Sequence, residues 1–395
     1  MNDVVITAGV RTPIGNFGGA LKNVAAVELG GVAMRGAWQR AQIEPEQIDE
    51  VWVGHARQAG NGPNPGKLAA AEGGIPFQVP ATTIQMACLS SMQATILGYK
   101  SIALEDADCV MVAGMEHMSS IPYLNTAQRW GQKSGDVRLV DGLTRDGFLD
   151  PLTQKLMGEI ADTYSDRWQI TREEQDELAA QSHQYAAKAI ESGSIAPILV
   201  PVKTPSSKPS ADGIGDEHVR PQSNVDTLSH LRPAFNPQGT VTAGNASAVT
   251  DGAAAIVLMS QKAAQNCHLK PLARIVSYAV TSTDPKDYGV APVSATQEAL
   301  RRAGLQAADI DIWEINEAFA VQVIAVTRLL GMDWHHMRLN VWGGAIALGH
   351  PVGMSGVRIV LHAAHALALS GGHYAVATIC GNGGQGATVV IERAG

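Results

Sequence analysis

The 395-residue chain is 45% hydrophobic and 17% charged, enough for about two or three domains with cores of their own. Its 29 Lys+Arg against 37 Asp+Glu leave a net charge of −8, which argues against nonspecific nucleic-acid binding. An anionic ligand must therefore be met by local cations rather than by a global field.

No apolar run reaches membrane-span length, and the start Met1-Asn-Asp-Val-Val-Ile-Thr7 lacks a basic targeting segment. Four cysteines, Cys88, Cys109, Cys267 and Cys380, form no C-x-x-C pair and no disulfide framework, so a metal site is not expected. These features point to a cytoplasmic protein with neither a membrane nor a nucleic acid as partner.

Residues 4–8 read as a buried strand, 27–41 as a helix and 51–53 as a strand around Trp52. A short strand at 82–84 leads to Cys88, after which Met92, Ile96, Tyr99 and Ala103 recur at helical spacing. Cys88 thus stands at the start of a helix, where the backbone N–H groups favour a thiolate and predict a lowered pKa. A buried, inert thiol is the other reading. After a strand at 109–113 the pattern breaks. Residues 119–248 form an insertion, rich in Pro, Gly, Ser and charge around 202–219, with one clear helix at 172–192.

The pattern resumes with a strand at 254–259, and a further strand at 312–315 ends on Asn316. That amide can hold a water or donate to an oxyanion, or cap the helix that follows. Further on, Asn340-Val-Trp-Gly-Gly-Ala-Ile-Ala-Leu-Gly-His-Pro-Val-Gly-Met-Ser-Gly356 sets five glycines around His350. Val357, Val360, Leu361 and Ala364 then mark a helix, placing the imidazole just ahead of its N-terminus. A tight turn with a surface histidine is the plain alternative, and the glycine spacing matches no phosphate loop. A strand at 374–379 runs into Cys380 and a glycine loop, and 387–391 is the last strand.

The chain repeats itself. Arg40-Ala…Ile48-Asp49 before the Trp52 strand returns as Arg302-Ala…Ile310-Asp311 before the Trp313 strand, and the same offset relates Cys88 to His350. Two related halves follow: 1–118 with 249–270, and 271–395, the insertion at 119–248 lying between. The expected class is α/β, two βαβ-rich halves forming stacked five-stranded sheets that sandwich helices. Pseudo-symmetry then brings Cys88 and His350 together. Two cysteines, a histidine and an asparagine on strand-end loops, without acidic metal ligands, suit acyl transfer.

Cys88-Leu-Ser-Ser-Met-Gln-Ala94, Asn316-Glu-Ala-Phe319, Gly343-Gly-Ala-Ile-Ala-Leu-Gly-His-Pro351 and Cys380…Gly383-Gly-Gln-Gly386 resemble the thiolase family, in family order. Arg11-Thr-Pro13, Gly114-Met-Glu116, Met157-Gly158 and Thr240-Val-Thr-Ala-Gly-Asn-Ala-Ser247 extend the likeness over the whole chain.

The resemblance implies an acyltransferase acting on acyl-CoA, with coenzyme A as substrate and no tightly bound cofactor. Cys88 would be the acylated nucleophile and His350 its base. Asn316 would hold a water that, with His350, forms one oxyanion hole. Cys380 would be the acid/base, and the N–H groups of Cys88 and Asn382 a second oxyanion hole. Arg220 and Ser247 match positions touching CoA, while Met157, Ala243, Ala318 and Phe319 match the pantetheine and acyl pocket, near Leu156 and Phe148.

The chain departs from the pattern at Gln85, Leu89-Ser-Ser91, Trp342, Asn382 and Leu156, where Asn, a Gly-rich segment, Asn, Gly and His are usual. This leaves open an acetoacetyl-CoA-specific enzyme, one for longer, branched or aryl 3-oxoacyl-CoA, and one needing a small accessory subunit. A homodimer or homotetramer is expected. A decarboxylating condensing enzyme would pair its cysteine with two histidines, and a non-catalytic acyl-CoA carrier would not need Cys88, His350 and Cys380 together.

Overall fold

The computed structural model describes residues 2–204 and 215–394, so residues 205–214 of the Pro/Ser-rich stretch lie outside the described residues. The first half contains β1 (Val4–Arg11), α1 (Ala26–Ala41), β2 (Glu50–Gly54), α2 (Pro65–Glu72), β3 (Ala81–Ile84), α3 (Ser90–Ala103) and β4 (Cys109–His117). The inserted lobe carries α4 (Met157–Trp168) and α5 (Arg172–Glu191), after which β5 (Thr250–Ser260) returns to the first sheet. The second half contains β6 (Ala273–Ser282), α6 (Ala291–Ala303), β7 (Ile312–Ile315), α7 (Ala320–Leu329), α8 (Ser355–Ser370), β8 (Tyr374–Gly381) and β9 (Gln385–Arg393).

Strand order is β3-β2-β4-β5-β1 in the first half and β7-β8-β9-β6 in the second. β2 is parallel to both neighbours and β7 to β8; the remaining pairs are antiparallel. Val5 with Arg274 and Ile6 with Ala273 join β1 to β6, so one hydrogen-bonded path crosses both halves. The fifth strand of the second half shrinks to a single bridge, Trp313 with Leu339. Asn340 is the reason. Its φ of 45° turns the chain out of the strand. Its side-chain amide takes over the ladder, Oδ1 accepting from Ile315 N and Nδ2 donating to Ile315 O, both at 2.9 Å.

α3 and α8 pack against each other between the halves, each touching strands of both, while α1 and α2 cover the outer face of one sheet and α6 that of the other. The central pair meets backbone to backbone. A Cβ on Gly356 would lie 2.2 Å from Met92 N, so only glycine fits. Beside it Val357 N donates to Ser91 Oγ at 3.0 Å, one helix's hydroxyl satisfying the other's first turn.

In the lobe, α4 is an addition to the single helix expected there. Its buried face mixes Ile160, Ala161 and Tyr164 with Asp162 and Ser165, which blurs the apolar period. Asp162 Oδ1 accepts from Thr240 N and Val241 N, both at 2.9 Å, so this polar position is structural. Arg11, fully buried, clamps the lobe to β1 through Asp216, Nη1 at 2.8 Å and Nη2 at 2.7 Å. Among the described residues no helix is long and apolar enough to cross a membrane, and no group of His, Cys, Asp and Glu could hold a metal ion.

Candidate active site

β3 ends at Ile84, and the chain reaches Cys88 through a tight loop that the hydroxyl of Ser90 closes, accepting from Met86 N at 2.9 Å and donating to Ala87 O at 2.6 Å. Ala87 has a φ of 49°, a left-handed conformation that disfavours any Cβ. The strain sits one residue before the thiol and is maintained by the Ser90 bonds. Ala87→Val should lower stability by ~1–3 kcal/mol and depress turnover, whereas Ala87→Gly should shift stability by under about 1 kcal/mol. Equal melting temperatures and rates for both variants would show that the loop does not need this conformation.

α3 begins at Ser90, so Cys88 precedes the first turn instead of occupying it. Burial pushes its thiol up to about 11, against the pull of the nearby Arg57 guanidinium. The lowered pKa expected of a helix N-terminus is therefore corrected: removal from water outweighs the dipole.

His350 is held by the glycine loop. Gly349 has a φ of 99°, and a Cβ there would lie 2.3 Å from Thr250 Cγ2, so only glycine fits. His350 N donates to Ala248 O at 3.1 Å. Its Nδ1 lies 2.6 Å from Oγ of Ser355, the first residue of α8, and that hydroxyl donates to Pro351 O at 3.1 Å. With its one hydrogen used, Ser355 accepts, which assigns the ring proton to Nδ1. Nε2, buried and without a partner, is then a free lone pair. Burial, reinforced by Arg358 and Arg57, pushes the imidazole down to about 3, so it is neutral at working pH.

Cys380 is the next-to-last residue of β8, opposite Gly386, and is 1% exposed. Burial first, and then Cys88, raises its thiol well above the ordinary cysteine range. The left-handed backbone of the following turn belongs to Gly383 (φ 77°) and Gly384 (φ 81°), and Asn382 does not need it. Asn382 instead donates from Nδ2 to Gly147 O at 3.3 Å. Asn316 is not a cap: α7 starts at Ala320 after Phe319. Its Oδ1 accepts from Arg358 Nη2 at 3.3 Å, which fixes the amide orientation and leaves Nδ2 as a buried donor without a partner.

One cavity of about 70 Å³ is lined by Cys88, His350, Cys380 and Asn382 together with Phe148, Met157, Ser247, Ala318 and Phe319. Asn316, Leu156, Ala243 and Arg220 do not line it. Ala243 and Arg220 are exposed, and Leu156 is half-buried behind Met157 at the N-terminal boundary of α4. Sequence reading missed Arg57, Tyr288 and Val352 on the same wall. Tyr288 fixes the start of α4, its hydroxyl donating to Met157 O at 2.8 Å. Val352 had a signal, lying two residues from His350. Arg57 had only its place after a strand end, where α/β proteins put functional groups.

The family model for the thiolase N-terminal domain matches residues 4–262, and that for the thiolase C-terminal domain matches residues 269–393. The chain is 42% identical to an acetyl-CoA acetyltransferase of Cupriavidus necator over 396 aligned positions, covering 100% of both. It superposes on the acetyl-CoA acetyltransferase of Bacillus anthracis with a TM-score of 0.95 at 42% identity, covering 100% of this chain and 99% of that one. A human mitochondrial 3-ketoacyl-CoA thiolase solved in complex with CoA gives a TM-score of 0.94 at 38% identity, covering 100% of this chain and 98% of that one. With both family models matched and this cavity at its centre, the chain belongs to the thiolase family, acyltransferases whose substrates are thioesters of coenzyme A.

Proposed function

We propose that the protein catalyses the reversible thiolytic cleavage of a 3-oxoacyl-CoA to acyl-CoA and acetyl-CoA through an acyl-cysteine, in ping-pong order. The observation that carries this reading is the convergence of Cys88, His350 and Cys380 on one cavity. In cleavage, Cys88 Sγ attacks C3 while its proton passes to His350 Nε2, the free lone pair. The C2–C3 bond breaks, and the departing acetyl-CoA carbanion takes the proton of Cys380. CoA thiol then attacks the acyl-cysteine, giving its proton to the Cys380 thiolate, and His350 returns the first proton to Cys88. A raised thiol pKa suits Cys380, since a carbon acid needs a strong base in the reverse direction. The Asn316 amide donor serves the oxyanion through a water.

Acyl groups longer than acetoacetyl fit this architecture. The catalytic cavity shares Arg57 and Asn382 with a neighbouring cavity of about 780 Å³, which gives a chain somewhere to go. Leu156, at the position where the family pattern has His, pairs with Leu149, a lining residue of that larger cavity. Purified protein should cleave longer 3-oxoacyl-CoAs with higher kcat/KM than acetoacetyl-CoA. Leu156→His reaches the pocket only through Leu149 and should move the ratio back by at most ~1–3 kcal/mol, the most that one pocket contact supplies. Preference for acetoacetyl-CoA in wild type, unmoved by the substitution, would make this an ordinary short-chain acetyltransferase. Thiolysis across a series of chain lengths decides the matter.

A further inference from the structure

Arg57 has no place in the chemistry above, yet it is only 6% exposed and lines both the catalytic cavity and the larger one beside it. Among the described residues its guanidinium makes no hydrogen bond or ion pair, and its buried Nε is without a partner. The acids around it are engaged elsewhere. Glu116 accepts from Ala56 N and Arg57 N, both at 3.1 Å, from Gly353 N at 2.9 Å, and pairs with His55 Nε2 at 3.2 Å. Asp150 receives Leu152 N, Thr153 N and Thr153 Oγ1, and Asp146 faces Arg145 at 3.7 Å.

A guanidinium keeps its charge at any working pH, and burying it unpaired is costly. The loop is nonetheless built to present it there. Glu116 pins the backbone of Ala56 and Arg57 with one carboxylate, and the same carboxylate holds Gly353 in the His350 loop. The cation is thereby fixed relative to the reacting centre, and it is the one cationic side chain on a cavity wall that Phe148, Met157, Phe319 and Val352 make largely apolar around it. A carboxylate matches the planar fork of the guanidinium with two parallel hydrogen bonds.

We propose that Arg57 receives a carboxylate at the far end of the acyl chain, so that the preferred substrates are CoA monothioesters of 3-oxo dicarboxylic acids. The proposal rests on the thiolase reading and deepens it. A tail bound at the boundary of the two cavities leaves C3 at Cys88 and the bond to be broken near Cys380.

The test compares thiolysis of 3-oxohexanedioyl-CoA and 3-oxohexanoyl-CoA, which differ only in the terminal carboxylate. Wild type should favour the diacid by at least about 10-fold in kcat/KM, and Arg57→Leu should collapse that ratio by about 10²-fold, mostly through the KM of the diacid. Arg57→Lys should restore part of the ratio, which a merely structural role would not predict. If wild type prefers the monoacid, the proposal is overturned whether or not any variant folds. An equal loss on both substrates in Arg57→Leu also overturns it, because the cation would then be acting on the Cys88 thiol. Cleavage of neither substrate by wild type would instead sink the thiolase reading.

Discussion

Brief exposure to labelled acetyl-CoA should leave one acetyl group on Cys88, and Cys88→Ala should abolish both the label and turnover, by about 10⁴-fold or more. Of the four free cysteines, Cys88 alone shares the cavity with His350 while remaining partly open, whereas Cys380 is 1% exposed and Cys109 is buried within a strand. The site holds a neutral thiol, pushed up to about 11, and a neutral imidazole, pushed down to about 3. Both shifts come first from burial, so a standing thiolate–imidazolium pair is disfavoured there. Proton transfer to Nε2 must therefore accompany attack on the thioester, and removing the sulfur removes every later step. Peptide mapping that finds the label on Cys380, or labelling that persists in Cys88→Ala, would sink the assignment.

The second large effect separates the two thiols. Cys380→Ala should still take up the acetyl group from acetyl-CoA but should lose condensation and α-proton exchange by about 10²–10⁴-fold, the range of general acid–base catalysis. The cause is positional. Cys380 lies near the end of β8 opposite Gly386, on a different element from Cys88, and its raised pKa suits a carbon acid more than a thioester exchange. Solvent-exchange NMR on the acetyl methyl group reads the proton step directly. Equal loss of acylation and exchange would show that Cys380 is needed to build the site and has no separate task.

Much of this was legible in the residues. The repeated Arg-Ala…Ile-Asp segments before Trp52 and Trp313 predicted a strand after each, and β2 and β7 stand there. The five glycines marked the segment around His350 as unusual, and the contact of Gly349 with Thr250 explains one of them. What stayed hidden depends on contacts distant in sequence. The strand at Leu339 is cut short by an asparagine side chain bonded to Ile315, and no local propensity shows that. The thiol pKa was misjudged because helix position can be read from spacing while desolvation cannot. Arg57 was passed over because an arginine in a loop normally reaches water, and only the folded chain reveals that this one is buried.

The Gly356–Met92 junction carries a consequence for how such an enzyme can diversify. The two helices behind Cys88 and His350 touch so closely that one added methyl has no room. Selection is left almost no variation to act on there. Phe148 and Met157, by contrast, hang from the inserted lobe, outside the paired halves. New acyl preferences can accumulate on the lobe while the machinery of bond making is inherited intact.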